Sequence, residues 1–420
     1  MGLILFGVFI VLLLVGVPVA FSICSAAAVT MFAGYGDGKM MVVQRMFQSC
    51  DSFSLIAVPF FIFAGDLLAK GKLSKMLVEF CESLLGMIRG GLSIVSVLAG
   101  MFFAAISGSG AATTAAVGGI LIPELKKRGY REDSAAALVA AAGTIGVVIP
   151  PSVPMVLYAV IAEESVSRLF KSGFVPGFLM GGILIAIALY QAHKWNYPKG
   201  KAFSIKNVCK TFLKAIPAIM MPVIILGGIF SGYFTPSEAA AVAVIYAVLV
   251  SKFVYRDLSS KELYRIMLNS AKTSAVIMII IGCSGPFGWA PANWRIPEAI
   301  TTAVLSVSQN KYIILFLISI IILIAGVFME TSSIIIILTP VFLPLIRALG
   351  ISTLHFGILF VVGIAIGMIT PPVAINLFVA TGQTGLPIEK ISKAVIPYLI
   401  GLVVIFLMIV YVPLFIPGLL

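Results

Sequence analysis

The residues Ser107-Gly108-Ser109-Gly110 stand in the middle of an apolar run, Gly90 to Leu125, whose only charged residue is Glu124. Glycine costs a helix interior roughly 1 kcal/mol against alanine, and serine competes for backbone hydrogen bonds. The composition therefore marks a helix break that carries two hydroxyl oxygens. Two further stretches bring backbone oxygens: GTIGVVIPPS, Gly143 to Ser152, and GMITPPVAIN, Gly367 to Asn376. Proline has no N–H and leaves the carbonyl one turn earlier without its partner, while glycine permits an unwound backbone. At bilayer depth, unpaired carbonyls survive only where they line a cavity or bind something. Several such oxygens with a hydroxyl or two suit a hard cation such as Na⁺, and half-helix N-termini arriving there favour an anion. A small-residue packing face with two plain proline kinks would use the same residue types. The recurrence of both breaks at one register, each paired with a hairpin, favours the ion-binding reading.

The surrounding chain must hold these groups inside a membrane. Of 420 residues, 61% are hydrophobic and 10% charged, where soluble domains carry about 25% charged residues. Apolar runs long enough to cross a hydrocarbon core of about 30 Å recur from end to end. The first, Gly2 to Ala33, is too long for a cleavable signal, lacks its basic start, and reads as a retained helix. Cys24, Cys50, Cys81, Cys209 and Cys283 show no metal-binding spacing and read as small core residues. Crossings are expected near 3–33, 53–69, 134–158, 172–192, 215–231, 237–253, 267–283, 353–378 and 394–416. Segments 91–125 and 312–346 are expected as re-entrant hairpins that enter and leave on one side. With the N-terminus cytoplasmic, 19 Lys and Arg fall in cytoplasmic loops, within 70–75, 126–131, 194–214, 252–265 and 390–393. Seven fall opposite: Lys39, Arg45, Arg168, Lys171, Arg295, Lys311 and Arg347. That is the positive-inside bias. Treating 91–125 as a crossing would invert every later loop.

The chain also repeats itself. A shift of 221 positions pairs Pro123 with Pro344, Gly129 with Gly350, Gly146 with Gly367, and Pro150-Pro151 with Pro371-Pro372. An odd number of crossings separates the copies, so they are inverted, and inverted repeats with interrupted helices mark secondary transporters. No HExxH or GxxxxGK[ST] occurs, and Glu330 has no second buried acid, which argues against an intramembrane enzyme or an ATPase. A channel usually builds its filter from several identical subunits.

The stretches SGSGAATTAAVGGILIPELKKRGY, GTIGVVIPPSVPMVLYA, GVFMETSSIIIILTPVFLPL and GMITPPVAINLFV resemble the large membrane subunit of TRAP (tripartite ATP-independent periplasmic) transporters, and the likeness runs along essentially the whole chain. The resemblance implies an all-α polytopic membrane protein of two inverted repeats, each with a re-entrant hairpin and a broken helix. It implies an elevator-type, sodium-driven uptake of an organic acid (a dicarboxylate, sialic acid or other sugar acid) across the bacterial inner membrane. A periplasmic binding protein would deliver the substrate, and a small four-helix subunit, expected as a separate polypeptide, would complete the scaffold. No enzyme activity and no cofactor beyond the coupling Na⁺ are expected. The N-terminus would be cytoplasmic and the C-terminus periplasmic. Residues 1–90 and 166–311 would be scaffold, 91–165 and 312–385 the two halves of a transport domain, and 386–420 a C-terminal helix. The nearest rival is a stand-alone sodium–dicarboxylate carrier.

Carried over by position, one sodium site would use Ser107 and Ser109 with backbone oxygens of Gly146, Ile149 and Pro151. The second would use the Phe328 backbone and Thr331 with Gly367, Thr370 and Pro372. Ser107 corresponds to Phe328 and Ser109 to Glu330, so the second cannot copy the first, although Thr370 in place of Ile149 adds a hydroxyl. Thr113, Thr114, Ser152, Glu330, Ser332, Ser333 and Asn376 are expected around the substrate, with interhelical hydrogen bonding as the plain alternative for each. Glu330 could ligate a cation, polarise the pocket, or cap the amides of Thr331 to Ser333. Asp66 and Glu163-Glu164 read as solvated or interfacial, and Trp289 and Trp294 beside Arg295 as interface anchors. Alanine at Ser107 or Ser109 is expected to leave the fold intact.

Overall fold

Glycine, proline and serine set where the helices stop. The structure, a computed structural model, describes residues 1–34, 38–70, 72–200 and 202–415. Lys201 and position 416 lie outside the described residues, as do the side chains of Lys39 and Lys70. The first half runs α1 (Gly2–Leu14), α2 (Val19–Gly34), α3 (Gly38–Cys50), α4 (Ala57–Lys70), α5 (Lys72–Leu85), α6 (Gly91–Ser107), α7 (Gly110–Lys127), α8 (Glu132–Thr144), α9 (Val153–Ala162) and α10 (Val166–Lys194). The second runs α11 (Ile205–Phe230), α12 (Pro236–Leu249), α13 (Ser260–Asn293), α14 (Ile296–Val307), α15 (Lys311–Phe328), α16 (Thr331–Ala348), α17 (Thr353–Gly367), α18 (Ile375–Thr384) and α19 (Ile388–Phe415). Among the described residues, seven helices are long and apolar enough to cross a membrane, or eight if α3 and α4, bent by 65°, form one span.

The expected crossing 3–33 is instead two helices. Gly16 adopts φ +88° and Pro18 cannot donate, so α1 ends before them and α2 starts after. The two expected broken helices are broken. α8 passes into a single 3-10 turn, Ile145–Val147, before α9, and α17 stops at Gly367, seven residues short of α18.

The two hairpins enter from opposite ends of the molecule, the first closely packed and the second splayed beyond its turn. α6 and α7 pack along each other, and both feet of this pair stand at one end. There the Gly90 N–H donates to Pro198 O at 3.4 Å, and Arg128 pairs with Glu82. The feet of α15 and α16 stand at the other end. Tyr411 donates to Tyr312 O at 3.4 Å, and the His355 ring nitrogen Nε2 lies 2.8 Å from Ile409 O. α19 runs between the two ends, a length of about 42 Å at 1.5 Å per residue. Its Lys390 shares a pocket with Asp133 near the first pair of feet, and its Ile409 and Tyr411 reach the second.

The 221-residue register survives in the elements. Gly110, first in α7, corresponds to Thr331, first in α16, and Glu132, first in α8, to Thr353, first in α17. Packing is reciprocal as well: α9 lies on α16 while α18 lies on α7, and α8 packs on α19 while α10 packs on α17. Each broken helix thus sends its outer half across to the other repeat's hairpin. The symmetry fails in one place. α15 and α16 part beyond their turn, α15 lying on α17 and α16 mainly on α9 and α14.

Candidate substrate and ion site

At the first hairpin tip, Gly108 takes φ +61°, a conformation that side chains resist, and a Cβ there would fall 2.8 Å from the Pro151 carbonyl. This turn brings Ser107 back over the start of α7. Its Oγ lies 2.9 Å from the Thr113 hydroxyl and donates to Ser109 O at 3.3 Å. Ser109 caps α7, its Oγ accepting the Ala112 N–H at 3.4 Å. Alanine at 109 would lose this cap, at about 0.5–2 kcal/mol, where the sequence alone suggested no cost.

The broken helix meets this tip. Gly146 sits against it so closely that a Cβ would fall 2.8 Å from Ser109 O and 2.6 Å from Thr113 Oγ1. With prolines at 150 and 151, the carbonyls of Gly146 and Val147 lose their helical N–H partners. Val147 O is met by the Ser152 hydroxyl at 2.6 Å, whereas Gly146 O receives no N–H among the described contacts. Ser107, Ser109, Gly146 and Pro151 are thus brought together, with the Gly146 carbonyl open. The Ile149 side chain packs away, against Gly177 of α10. Ser152 is fully buried and caps α9 by accepting from Met155 N–H at 3.3 Å.

Around the second tip, Glu330 is the cap of α16. It accepts from the Ser332 and Ser333 amides at 2.9 and 3.2 Å and from the Thr331 and Ser332 hydroxyls at 2.8 and 3.1 Å. Of the three roles open to it, capping is the one its contacts display. Gly367 approaches Gly326 backbone to backbone, a Cβ on it falling 2.5 Å from Gly326 Cα. Here the freed carbonyls find partners: Gly367 O accepts from Thr370 N–H and Met368 O from Asn376 N–H, each at 3.0 Å. The Thr370 hydroxyl donates to Ile366 O at 2.9 Å. Phe328 and Pro372 are exposed.

Both tips open on one cavity of about 420 Å³. Ser107 to Ala112 line it from the first hairpin, Glu330 to Ser332 from the second, and Ile62, Gly65 and Asp66 of α4 with Thr273 and Ile277 of α13 close the far side. Thr113, Thr114, Ser333, Ser152 and Asn376 lie behind this wall. Thr114 donates to Gly110 O at 2.9 Å. Asn376 donates to Ala140 O at 3.1 Å, and its Oδ1 is buried without a partner among the described residues. Asp66 is a correction: it is half-buried on the cavity wall and accepts from Ser270 of α13 at 2.6 Å. The signal in the sequence was its neighbour Gly65, where a Cβ would fall 2.9 Å from Ser107 Cα. No three His, Cys, Asp or Glu side chains converge on a metal position among the described residues.

Known proteins give this arrangement a family. The model of the tripartite ATP-independent periplasmic transporter DctM component matches residues 6–415. An isethionate TRAP transporter permease protein, DctMQ, of Oleidesulfovibrio alaskensis is 42% identical over 98% of this chain, which spans 65% of that protein's length. A C4-dicarboxylate TRAP transporter large permease protein, DctM, of Pseudomonas aeruginosa is 40% identical over 92% of this chain and 91% of its own. Among solved structures, the YdaH transporter of Alcanivorax borkumensis, reported for its unusual topology, matches with a TM-score of 0.67 over 91% of this chain and 90% of its own. At 16% identity that likeness is one of fold alone. With a match along nearly its whole length, the chain belongs to the DctM component family of the tripartite ATP-independent periplasmic transporters.

Proposed function

We propose that this chain carries a small organic anion across the bacterial inner membrane, coupled to sodium entry, as the large subunit of a three-part system. The observation that carries the reading is the shared cavity, where two hairpins from opposite ends meet α4 and α13. Residues 91–165 and 312–385 would move together as the transport domain, with α4 and α13 on the stationary side, so the substrate would lie at the sliding boundary. Sodium would be cargo, held first by Ser107, Ser109 and the carbonyls of Gly146, Ile149 and Pro151. A second ion would sit by the Phe328 backbone, Thr331, Gly367, Thr370 and Pro372. The two relatives above are named for isethionate and for C4-dicarboxylates, which supports a small oxyanion as the substrate class. Such an anion would be neutralised by co-bound Na⁺ beside Asp66 and Glu330. A periplasmic binding protein would deliver it, and a small membrane subunit would complete the scaffold.

The test is uptake into liposomes. The chain reconstituted with its small subunit should accumulate the anion only when binding protein is present and sodium is higher outside. Robust uptake by the chain alone would establish the stand-alone carrier instead. Uptake that persists with equal sodium on both sides would remove sodium as the driving ion.

A further inference from the structure

At the end of the molecule where the feet of α6 and α7 stand, a second cavity of about 470 Å³ opens between α8, α10 and α19. Arg131, Lys194, Lys390 and Lys393 line it, against the single carboxylate of Asp133. Arg131 is committed to Asp133 through a 2.8 Å contact. That hydrogen bond, with Lys390 nearby, holds the Asp133 carboxyl below its ordinary range. Among the described residues the three lysines form no direct ion pair, and Lys390 acts on Asp133 only from a distance. Lys390 and Lys393 also stand in the first turns of α19, the end where the helix dipole disfavours cations. Helix stability does not account for their placement.

The floor of the cavity carries an amide, that of Gln191. Gln191, 6% exposed, accepts through Oε1 from both Ser134, at 3.0 Å, and Tyr398, at 2.7 Å. Its side-chain NH₂, on the cavity wall, is left without a protein acceptor among the described contacts. Trp195, with the Arg131 guanidinium 4.7 Å over its ring, forms one rim. From the other rim an exposed apolar stripe, Ile396, Ile400, Val404 and Met408, runs along one face of α19. It extends about 18 Å, roughly the length of an acyl chain.

We infer that this cavity is a binding site for an anionic phospholipid, its phosphate taken by Lys194, Lys390, Lys393 and the Gln191 amide and one acyl chain lying along the α19 stripe. A bare cationic cavity would accept any phosphate. The stripe leading from it is what selects the lipid. Basic cavities between helix ends on the cytoplasmic side are suited to such headgroups, and the aromatic rim fits the headgroup level.

Native mass spectrometry of the purified full chain in detergent tests this with three probes: phosphatidylglycerol, phosphatidylcholine and inorganic phosphate. The chain should retain one phosphatidylglycerol in preference to phosphatidylcholine. The triple variant Lys194→Gln/Lys390→Gln/Lys393→Gln should bind it on the order of 100-fold more weakly, with its melting in detergent unchanged. The single Lys390→Gln variant, whose solvent-facing side chain leaves the fold untouched, should show a smaller loss in the same direction. Equal retention of phosphatidylcholine, or unaltered binding by the triple variant, would overturn the site. Displacement of phosphatidylglycerol by millimolar inorganic phosphate would reassign it to a free anion.

Discussion

Ser107 and Ser109 look interchangeable in the sequence and are not in the fold. Ser107 binds across the tip to Thr113, whereas Ser109 caps α7. Alanine at either position should therefore cost about 1 kcal/mol of stability, one through an unmet buried hydroxyl and the other through a lost cap. Melting temperature cannot separate ion binding from packing. Sodium dependence can. If both supply oxygens to Na⁺, the half-saturating sodium concentration for uptake should rise about 5- to 150-fold in each variant, the equivalent of 1–3 kcal/mol. Uptake curves that overlay those of the unmodified protein would remove the cation from this tip. The helix break after Ser107 was legible because a Ser-Gly-Ser-Gly run has no reason to stand inside an apolar helix. Asp66 was not, because only the docking of α4 on the first tip turns an interfacial-looking carboxylate into part of a cavity wall. Glu330 was half legible: an acid inside an apolar stretch stood out, but its capping contacts depended on where the Ser332 and Ser333 amides point.

At the scale of elements, α7 and α8 approach so closely that position 143 has no room for a side chain. A Cβ there would lie 1.8 Å from Thr114 Oγ1, with Gly110 O and Asn376 Nδ2 at 3.0 and 3.1 Å. Gly143→Ala should destabilise by about 1–3 kcal/mol through overpacking, read as a lower melting temperature in detergent. The double variant Gly143→Ala/Thr114→Ala should recover part of the loss, since the nearest colliding atom is gone and the other two remain. Full independence of the two substitutions would mean that the helices stand farther apart than described. The breaks themselves were readable from Gly-x-x-x-Pro-Pro. The split of the first crossing was missed because hydropathy stays uniformly high across Gly16 and Pro18, so only two residues, and no change of period, mark it. The divergence of α15 from α16 has no local signature. It follows from which neighbours each finds.

For the whole molecule, the two ends should face opposite sides of the membrane. In a variant background without the native cysteines, Lys127→Cys at the foot of α7 should be protected from an impermeant thiol reagent added outside intact cells. Arg347→Cys at the foot of α16 should react. Labelling of both, or of neither, would contradict hairpins that enter from opposite ends. The 221-residue repeat made this inversion visible early, because five of its matches are glycines and prolines at breaks. The reciprocal packing of the repeats was beyond reach, since a match of positions says nothing of which copy's helix a segment lies against.

That reciprocity has a consequence for how the molecule is made. α18, which covers α7, is about 250 residues later in the chain. At about 5–20 residues per second of synthesis, the first hairpin waits on the order of 10–50 s before its cover exists. During that interval the face of α7 around Ala115 and Gly118, which Gln383 of α18 finally covers, meets lipid or the insertion machinery instead. The first repeat therefore stays unfinished until most of the chain has been made, and neither half, severed from the other, has a complete interior to fold around.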